Sequence, residues 1–465
     1  MRILVIGGGI SGLVAAHRLL GPGGGTEVTV LEASGRLGGK LRGGEIAGVA
    51  VDLGAESMLA RRPEAVELAR AVGLGPDLEP PAVAGGAIWT RGAVRPMPRG
   101  HLMGVPGDPA ALGDVLSPDG LARVAEDADL PRTAVGEDVT VGGYVAERLG
   151  REVVDRLVEP LLGGVYAGDA YRISLRAALP QLFEAARRER SLLAAVRSVQ
   201  AHAAAPTPGP VFMGVSGGVG RLPGAVADAV RTAGGRISTG VTARELRRTP
   251  DGWAVATDAG VHHADAVVVA LPGPAAARLL RHEVPTAADA LAGVDYASMA
   301  LCTLAFRRAD LGPEPPGGSG FLVPPVDGRT IKASTFSANK WEWVAAQDPE
   351  LFVLRTSVGR YGEEAVLERD DEELVAASLA DLRDAVGLTA TPVASRVTRW
   401  PAGLPQYALG HPGLVARVRA AVAQAPGLEV CGALYDGVGI PACVASARAA
   451  ADRTLTWAAA AQGRE

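Results

Sequence analysis

The chain has 465 residues, which is too long for one compact core, so two or more domains are expected. Hydrophobic residues make up 48% and charged residues 21% of the sequence, a composition that excludes an intrinsically disordered chain. The formal net charge of -5 excludes a broad basic surface for neutralising phosphates, so no nucleic-acid partner is predicted.

The N-terminal residues predict one complete β-α-β unit. Residues 2–6 form a short apolar run typical of a buried parallel strand. A glycine-rich segment, 7–12, follows this run, and residues 13–20 have the apolar spacing of a helix. A second strand is predicted over 27–31, and it ends at Glu32.

The next part of the chain is mostly helical in its pattern. A helix is predicted over 63–72, with Pro63 in its first turn and Gly73 as its stop. Residues 101–210 are dominated by helical apolar spacing. The stretch 203–210 is rich in Ala and Pro and predicts a boundary loop.

The pattern becomes extended after one further helix, which follows Gly217-Gly218. Residues 236–270 predict a β-meander with turns at Asp251-Gly252 and Ala259-Gly260. The last strand of this meander, 266–270, is fully apolar and stops before Pro272. Further predicted elements are strands over 301–306, 352–358 and 428–431, a helix over 371–386 and a closing helix from 441.

The glycine-rich segment predicts a dinucleotide site. Gly7, Gly9 and Gly12 fit G-x-G-x-x-G, in which the glycines permit a tight turn, close approach of a pyrophosphate and close helix packing. The phosphates then lie at a helix N-terminus, where free N–H groups and the dipole favour anions. Glu32 ends the second strand, where a carboxylate binds ribose hydroxyls. The alternative is a glycine turn in an unrelated α/β protein.

A second glycine loop indicates which dinucleotide is bound. Arg36 and Lys40 flank Gly38-Gly39 just past Glu32. A basic loop at this place suits a lid over the pyrophosphate, which a plain NAD dehydrogenase does not need. The segment therefore favours FAD over NAD, although an exposed loop is the alternative interpretation.

The order of elements predicts an α/β fold in which a discontinuous Rossmann-type FAD-binding domain carries the β-meander. An α+β substrate domain and a helical subdomain complete the prediction. The predicted FAD-binding domain comprises 1–75, 211–290 and 401–465, the substrate-binding domain 76–100 and 291–400, and the helical subdomain 101–210.

The cysteines and the chain start carry two further predictions. Cys302, Cys431 and Cys443 are widely spaced and form neither a CxxC pair nor an even-numbered set, so no metal site or disulfide framework is predicted. The chain starts directly in a strand, and no apolar stretch reaches the roughly 18–20 residues that span a bilayer. These features predict a cytoplasmic protein.

Several motifs resemble those of one known family. Residues 5–13, 32–33 and 35–40 are similar to the FAD fingerprint of the superfamily of amine oxidases, phytoene desaturases and protoporphyrinogen oxidases. Three later segments resemble those of the protoporphyrinogen/coproporphyrinogen oxidase branch: EPLLGGVYAGD at 159–169, WPAGLPQY at 400–407 and GALYDGVGIP at 432–441. The resemblance covers almost the whole chain and preserves the order of the motifs.

The resemblance implies a non-covalently bound FAD. Within it, Val241 contacts the adenine through its backbone, Trp400 lies near the flavin, and the N–H groups of 438–440 stabilise charge on the reduced ring. Cys443 lies beyond that last loop and is expected to be structural. The implied cofactor contacts are Gly7, Gly8, Gly9, Ile10, Ser11, Gly12, Glu32, Ala33, Arg36, Lys40, Gly54, Ala55, Glu56, Ser57, Val241, Trp400, Val438, Gly439 and Ile440.

One position departs from the family pattern. Glu56, in the loop 54–57, stands where some members of the family carry Arg. An acid near the substrate would repel propionate groups, so the departure puts a substrate-binding role of this loop in doubt.

The resemblance further implies three successive two-electron oxidations of a porphyrinogen, with flavin N5 as the hydride acceptor and O2 reduced to hydrogen peroxide. No acid–base or metal-ligand constellation is found, so no catalytic side chain is named. A flat apolar cavity rimmed by arginines is expected, because arginine pairs bidentately with carboxylates. The candidates are Arg61, Arg62 and Arg95 for propionates and Tyr166 and Tyr407 for the cavity wall.

The expected substrate is coproporphyrinogen III, with protoporphyrinogen IX as the alternative, because the chain resembles the Gram-positive-type branch of the family. A flavin amine oxidase or desaturase and a non-catalytic tetrapyrrole carrier are the rival interpretations. A peripheral contact of 101–210 with a membrane or with another heme-pathway enzyme stays open beside the simpler interpretation of a solvated helix face.

Overall fold

The computed structural model of the protein describes residues 1–21, 25–83, 85–202, 209–313 and 315–462. Positions 203–208 of the predicted boundary loop lie outside these residues. The described strands, in chain order, are β1 (Arg2–Ile6), β2 (Glu27–Glu32), β3 (Gly43–Ile46), β4 (Val49–Asp52), β5 (Met58–Leu59), β6 (Leu78–Glu79), β7 (Ala87–Thr90), β8 (Ala93–Pro96), β9 (His101–Leu102), β10 (Val105–Pro106), β11 (Phe212–Val215), β12 (Arg236–Thr239), β13 (Ala243–Thr249), β14 (Gly252–Thr257), β15 (Gly260–Ala264), β16 (Ala266–Val269), β17 (Tyr296–Arg307), β18 (Gly320–Leu322), β19 (Ile331–Thr335), β20 (Leu351–Val358), β21 (Ala394–Pro405) and β22 (Leu428–Val430).

The described α-helices, in chain order, are α1 (Ile10–Leu19), α2 (Pro63–Ala71), α3 (Pro118–Ala125), α4 (Val141–Leu149), α5 (Arg151–Val153), α6 (Glu159–Tyr166), α7 (Leu175–Ala178), α8 (Pro180–Ala186), α9 (Leu192–His202), α10 (Leu222–Thr232), α11 (Gly273–Leu280), α12 (Pro285–Ala292), α13 (Ser337–Lys340), α14 (Glu342–Gln347), α15 (Asp371–Val386), α16 (His411–Ala423) and α17 (Ile440–Gln462).

A five-stranded parallel sheet forms the base of the candidate site. Its strand order is β12-β2-β1-β16-β22, so strands from the two ends and the middle of the chain lie side by side. In register, Ile3 of β1 lies between Val28 of β2 and Ala266 of β16. β1 and β16 are continuous apolar runs because both faces of the sheet are covered.

Different elements pack on the two faces of this sheet. Apolar residues of α1, α2, α10 and α17 pack on one face. The antiparallel sheet β13-β14-β15 and the helices α11, α12 and α16 cover the other face. Other elements therefore cover the parallel sheet on both faces.

The predicted meander over 236–270 is only partly correct. β13, β14 and β15 form it, with turns at the predicted places, where Gly252 (φ +131°) and Gly260 (φ +125°) are left-handed. Residues 236–239 and 266–269 were wrongly included, because these segments are β12 and β16, which pair in parallel with β2 and with β1. The four residues of β12 alternate little in polarity, and only the tertiary pairing distinguishes a strand of the parallel sheet from a meander strand.

A seven-stranded sheet lies in the second half of the chain, in the order β21-β17-β20-β19-β18-β7-β8. β17 and β21 are the longest strands and pair antiparallel over most of their lengths. One face packs against α15, where Thr356 of β20 hydrogen-bonds Ser378. Trp400 of β21 lies opposite Met299 of β17.

The segment 101–202 is mainly helical, as predicted, and contains α3 to α9 around one apolar core. A short hairpin, β9-β10, precedes the helices and was not predicted. Two smaller sheets, β3-β4 and β5-β11-β6, connect the parallel sheet with the seven-stranded sheet along the chain.

The predicted α/β fold class is confirmed, with a parallel sheet and mixed sheets. The division into three domain ranges stays a prediction. In the described part of the chain, no helix is long and apolar enough to cross a membrane.

Candidate functional site

The turn after β1 is shaped by three glycines. Gly7 has φ +113°, a left-handed conformation that favours glycine. A Cβ on Gly12 would lie 1.8 Å from the carbonyl oxygen of Gly7, so only glycine permits this close approach of helix and strand. A Cβ on Gly9 would meet nothing within 4 Å. The turn thus combines a tight bend, a close packing contact and one open position.

The open position lies at the start of α1. Gly9 is the N-cap residue and provides no side-chain cap. The first N–H groups of a helix have no partner inside the helix, and the helix dipole favours an anion at this end. Ile10 is half-buried and Ser11 is buried, so the backbone rather than these side chains faces the open space. The arrangement suits a phosphate group.

Glu32 ties the second strand to the glycine turn. One carboxylate oxygen accepts the N–H of Gly8 at 2.6 Å, and the other accepts the N–H of Ser34 at 2.8 Å. The backbone carbonyl of Glu32 accepts the N–H of Val241 at 2.9 Å. Ala33 is exposed beside them. The structure therefore brings Gly8, Glu32, Ala33 and Val241, all predicted cofactor contacts, to one place.

The second glycine loop folds back over the turn. The N–H of Gly38 donates to the carbonyl oxygen of Gly8 at 2.9 Å, and Gly9 and Gly38 form an isolated parallel bridge. Arg36 donates to the carbonyl oxygen of Gly39 at 2.8 Å, and its guanidinium lies 6.0 Å from the ring centre of Trp400. This loop therefore lies as a lid against the glycine turn.

Lys40 ends this loop among buried groups. Burial lowers the pKa of its amine, and the Cys443 thiol acts in the opposite direction. A Cβ on Gly54 would lie 2.2 Å from the carbonyl oxygen of Lys40 and 3.3 Å from the indole of Trp400. The indole N–H of Trp400 donates to the carbonyl oxygen of Leu53 at 2.9 Å. The lid, the loop 54–57 and Trp400 therefore share one surface.

Glu56 is buried and fully paired. Its two carboxylate oxygens contact the Lys340 amine at 2.6 Å and the Arg355 guanidinium at 3.1 Å. Burial acts to raise the pKa of Glu56, but Arg355 and Lys340 outweigh it and hold the pKa below its usual value. Arg355 also donates to the carbonyl oxygen of Gly54 at 2.7 Å. The negative charge that seemed unfavourable for a carboxylate substrate is therefore compensated by two cations.

The other residues of this loop are more open. Ala55 is exposed and Ser57 is half-buried. The neighbouring Asp52 accepts the N–H groups of Val219 and Gly220 at 2.9 and 2.8 Å. Burial raises the pKa of Asp52 to about 6 despite these two donors.

The start of α17 meets the start of α1. Val438 packs against the helical core, Gly439 is exposed and Ile440 is buried. Cys443 is buried one turn later; burial raises the pKa of its thiol, while a hydrogen bond with Ser11 and the charge of Lys40 act to lower it. The predicted segments 7–12 and 438–440 are thus neighbours, although they are at opposite ends of the chain.

The predicted substrate residues fall into separate groups. Arg62 precedes α2 and pairs with Glu64 at 2.6 Å, and its charge acts on Cys443, whereas Arg61 is exposed. Arg95 lies elsewhere, on β8, at the opposite end of the seven-stranded sheet from the strand of Trp400. The structure therefore places Arg62 beside the cofactor candidates, and it does not bring Arg95 to them.

The two predicted wall tyrosines are neighbours. The ring centres of Tyr166 and Tyr407 are 5.4 Å apart, and His411 stacks on Tyr407 at 4.0 Å. The hydroxyl of Tyr407 donates to the carbonyl oxygen of Ala433, next to the start of α17. Burial raises the pKa of Tyr166 to about 12, so this phenol stays protonated.

Sequence reasoning missed Lys340 and Arg355. They are 284 and 299 residues from Glu56 along the chain, so no local motif links them. One signal was available: among 46 Lys and Arg residues only Lys40, Lys332 and Lys340 are lysines. Two of these three lie in the candidate site.

The parallel sheet presents a glycine turn against which a second glycine loop folds, and it is joined to a mixed sheet and a helical region. This arrangement is that of flavin-dependent oxidoreductases. The family described as flavin containing amine oxidoreductase matches residues 10–455. The chain belongs to this family, and the predicted resemblance is confirmed.

Among similar proteins, coproporphyrinogen III oxidase of Mycobacterium bovis is 37% identical over 448 residues, which are 95% of each chain. Coproporphyrinogen III oxidase of Bacillus subtilis is 31% identical over 98% of each chain. A crystal structure from Exiguobacterium sp. 255-15, provisionally named a protoporphyrinogen oxidase, is 32% identical with a TM-score of 0.84 and covers 97% of this chain and 98% of that one.

Proposed function

We propose that the protein binds FAD non-covalently and oxidises coproporphyrinogen III to coproporphyrin III with O2, in heme biosynthesis. Coproporphyrinogen III loses six electrons and six protons, and three O2 become three H2O2. The observation that supports the cofactor is the open Gly9 position at an uncapped helix start beneath a second glycine loop. The substrate is proposed from the relatives that carry the name coproporphyrinogen III oxidase.

The protein residues hold the cofactor in this proposal. The first-turn N–H groups of α1 bind the pyrophosphate, and the loop that ends at Lys40 covers it. Glu32 accepts the ribose hydroxyls, and the backbone of Val241 meets the adenine. Trp400 and the residues 438–440 border the isoalloxazine ring. When bound, the flavin supplies the hydride acceptor for each two-electron step.

The protein positions the macrocycle and excludes water around it. Tyr166 and Tyr407 form an apolar wall between the start of α17 and the helical region, and Arg61 and Arg62 are the nearer candidates for propionate groups. Arg95 is a weaker candidate, because its strand, β8, lies at the opposite end of the seven-stranded sheet from the strand of Trp400. We also propose the three domain ranges predicted above. No side chain is proposed as a general acid or base.

The cofactor part is tested by purifying the full chain and measuring its absorbance. A yellow protein that releases FAD quantitatively on acid denaturation is expected. A colourless protein that takes up no flavin would overturn the proposal, and flavin that stays on the denatured chain would overturn its non-covalent part.

The substrate part is tested with coproporphyrinogen III and protoporphyrinogen IX under air, by following porphyrin fluorescence and H2O2. A higher kcat/KM for coproporphyrinogen III and three H2O2 per porphyrin are expected. A preference for protoporphyrinogen IX would replace the substrate. Amine-dependent H2O2 without porphyrin formation would favour an amine oxidase, and a flavin left oxidised by either porphyrinogen without O2 would favour a carrier.

A further inference from the structure

Three charged side chains form a compact group at the loop 54–57. Glu56 is buried, and its two carboxylate oxygens contact the Lys340 amine at 2.6 Å and the Arg355 guanidinium at 3.1 Å. Both cations are half-buried, and within the described part of the chain neither has a second ion pair. We call Glu56, Lys340 and Arg355 the charge cluster. Its two cations and one carboxylate leave one positive charge in excess.

The neighbouring carboxylate of Asp52 is engaged elsewhere. It accepts the N–H groups of Val219 and Gly220 at 2.9 and 2.8 Å. Arg355 contacts only the backbone carbonyl oxygen of Asp52, at 3.4 Å. Because an unbalanced charge that is taken out of water costs free energy, negative charge that appears beside the charge cluster would be stabilised.

The charge cluster is attached to the surface that is predicted to border the flavin. Arg355 donates to the carbonyl oxygen of Gly54 at 2.7 Å. A Cβ on Gly54 would lie 3.3 Å from the indole of Trp400 and 2.2 Å from the carbonyl oxygen of Lys40. The next residue, Ala55, is exposed. The charge cluster, the lid and Trp400 therefore meet at one loop.

We propose that the charge cluster raises the reduction potential of the bound flavin by stabilising the negative charge that the ring gains on accepting a hydride. This inference rests on the FAD site of the proposed function and adds residues that tune its chemistry. In each oxidation a C–H bond of the substrate breaks, and the hydride takes both electrons of that bond to flavin N5, so the ring gains one negative charge. The two cations favour the reduced ring, and Glu56 opposes it.

Substitutions in the charge cluster distinguish charge from structural damage. Glu56→Gln and Arg355→Gln break the same ion pair, so loosening of the loop would move the potential in one direction in both variants. The proposal instead predicts a higher potential for Glu56→Gln and a lower potential for Arg355→Gln and for Lys340→Met.

The size of the shift follows from the Coulomb interaction. At an effective dielectric constant of about 20, a unit charge acting over roughly 10 Å changes the ratio of the affinities for reduced and oxidised FAD about ten-fold. A ten-fold change corresponds to about 30 mV in a two-electron couple. Each single variant should therefore shift by about this amount.

Two further variants serve as controls. The double variant that combines Glu56→Gln with Arg355→Gln has the same net charge as the wild type, so its potential should return close to the wild-type value. Arg231→Gln breaks an exposed ion pair with Asp228 on α10 and should leave the potential unchanged. Damage to the loop would leave the double variant at least as far from the wild type as the single variants.

The midpoint potential is measured on the FAD-saturated full chain by reduction with a reference dye, followed by absorbance at pH 8. Burial raises the pKa of Asp52 to about 6, so this neighbouring carboxyl is ionised at the pH of the measurement. Thermal unfolding of each variant establishes that it is folded at the temperature used.

The outcomes separate this inference from the proposed function. Shifts of the same sign, or no shift, in a protein that oxidises coproporphyrinogen III would overturn the role of the charge cluster and leave the proposed function standing. Opposite shifts in a protein that binds FAD but oxidises neither porphyrinogen would support the charge cluster and overturn the proposed substrate. A chain that takes up no flavin would overturn both.

Discussion

Replacing Gly9 by alanine should separate cofactor binding from folding. The backbone of Gly9 (φ -71°, ψ 175°) is one that alanine adopts readily, and the added Cβ would meet no atom within 4 Å. The free energy of unfolding of the apoprotein should therefore change by no more than about 0.5 kcal/mol. The methyl group would occupy the space through which a pyrophosphate approaches the start of α1.

The expected loss of affinity follows from the hydrogen bonds to the phosphate. A hydrogen bond to a charged group contributes about 1.5–3 kcal/mol, so losing one should raise the Kd for FAD roughly 10- to 150-fold. The Kd is measured by titrating apoprotein with FAD and following flavin fluorescence. Gly113→Ala is the control, because its Cβ also meets nothing within 4 Å but lies in the helical region. A Gly9→Ala protein with a Kd for FAD within three-fold of the wild type would refute the proposal that this turn binds the pyrophosphate.

Gly12→Ala should instead impair folding, because its Cβ would strike the Gly7 carbonyl oxygen.

Three further substitutions test other contacts. Glu56→Gln leaves two half-buried cations uncompensated and should lower the free energy of unfolding by about 3 kcal/mol in urea denaturation; an unchanged midpoint would contradict the pairing. The folded-state pKa of Glu159 is raised from 4.5 to about 8, so its stabilising contribution is complete below about pH 4.5 and is lost as pH rises through 8. Glu159→Gln should therefore flatten the decline of Tm between pH 6 and 9, and parallel declines would count against the raised pKa. Trp400→Phe loses the hydrogen bond to Leu53, worth about 1 kcal/mol, and should weaken FAD binding about five-fold; unchanged affinity would separate Trp400 from the cofactor.

Local patterns were sufficient for elements with clear ends. The helix predicted over 371–386 coincides with α15, because Asp370 and Glu373 form a capping box at its start and Gly387, with φ +68°, ends it. Pro63 and Gly73 mark α2 in a similar way. β12 was misassigned because its identity depends on a partner strand about 200 residues earlier rather than on its own residues.

The site shows the same contrast. Gly7, Gly9 and Gly12 lie close together in the sequence and form one turn, and Glu32, at the end of the next strand, accepts a hydrogen bond from that turn. The counter-ions of Glu56 lie on a helix and a strand hundreds of residues later in the chain. An ion pair between residues so far apart in the sequence produces no recognisable motif. The rarity of a residue type is a different kind of signal: the chain has only three lysines, Lys40, Lys332 and Lys340, and none of them is exposed.

The strand order of the parallel sheet has a consequence for how the chain matures. β22, at residues 428–430, pairs with β16, and α17 packs on α1. During synthesis the glycine turn emerges from the ribosome well before β22, so its sheet keeps an unpaired strand edge at β16 until β22 has been made. Such edges favour aggregation of nascent chains, and contacts of this sequence separation form slowly. A cofactor that binds only after β22 has paired with β16 would stabilise the molecules that have completed this pairing.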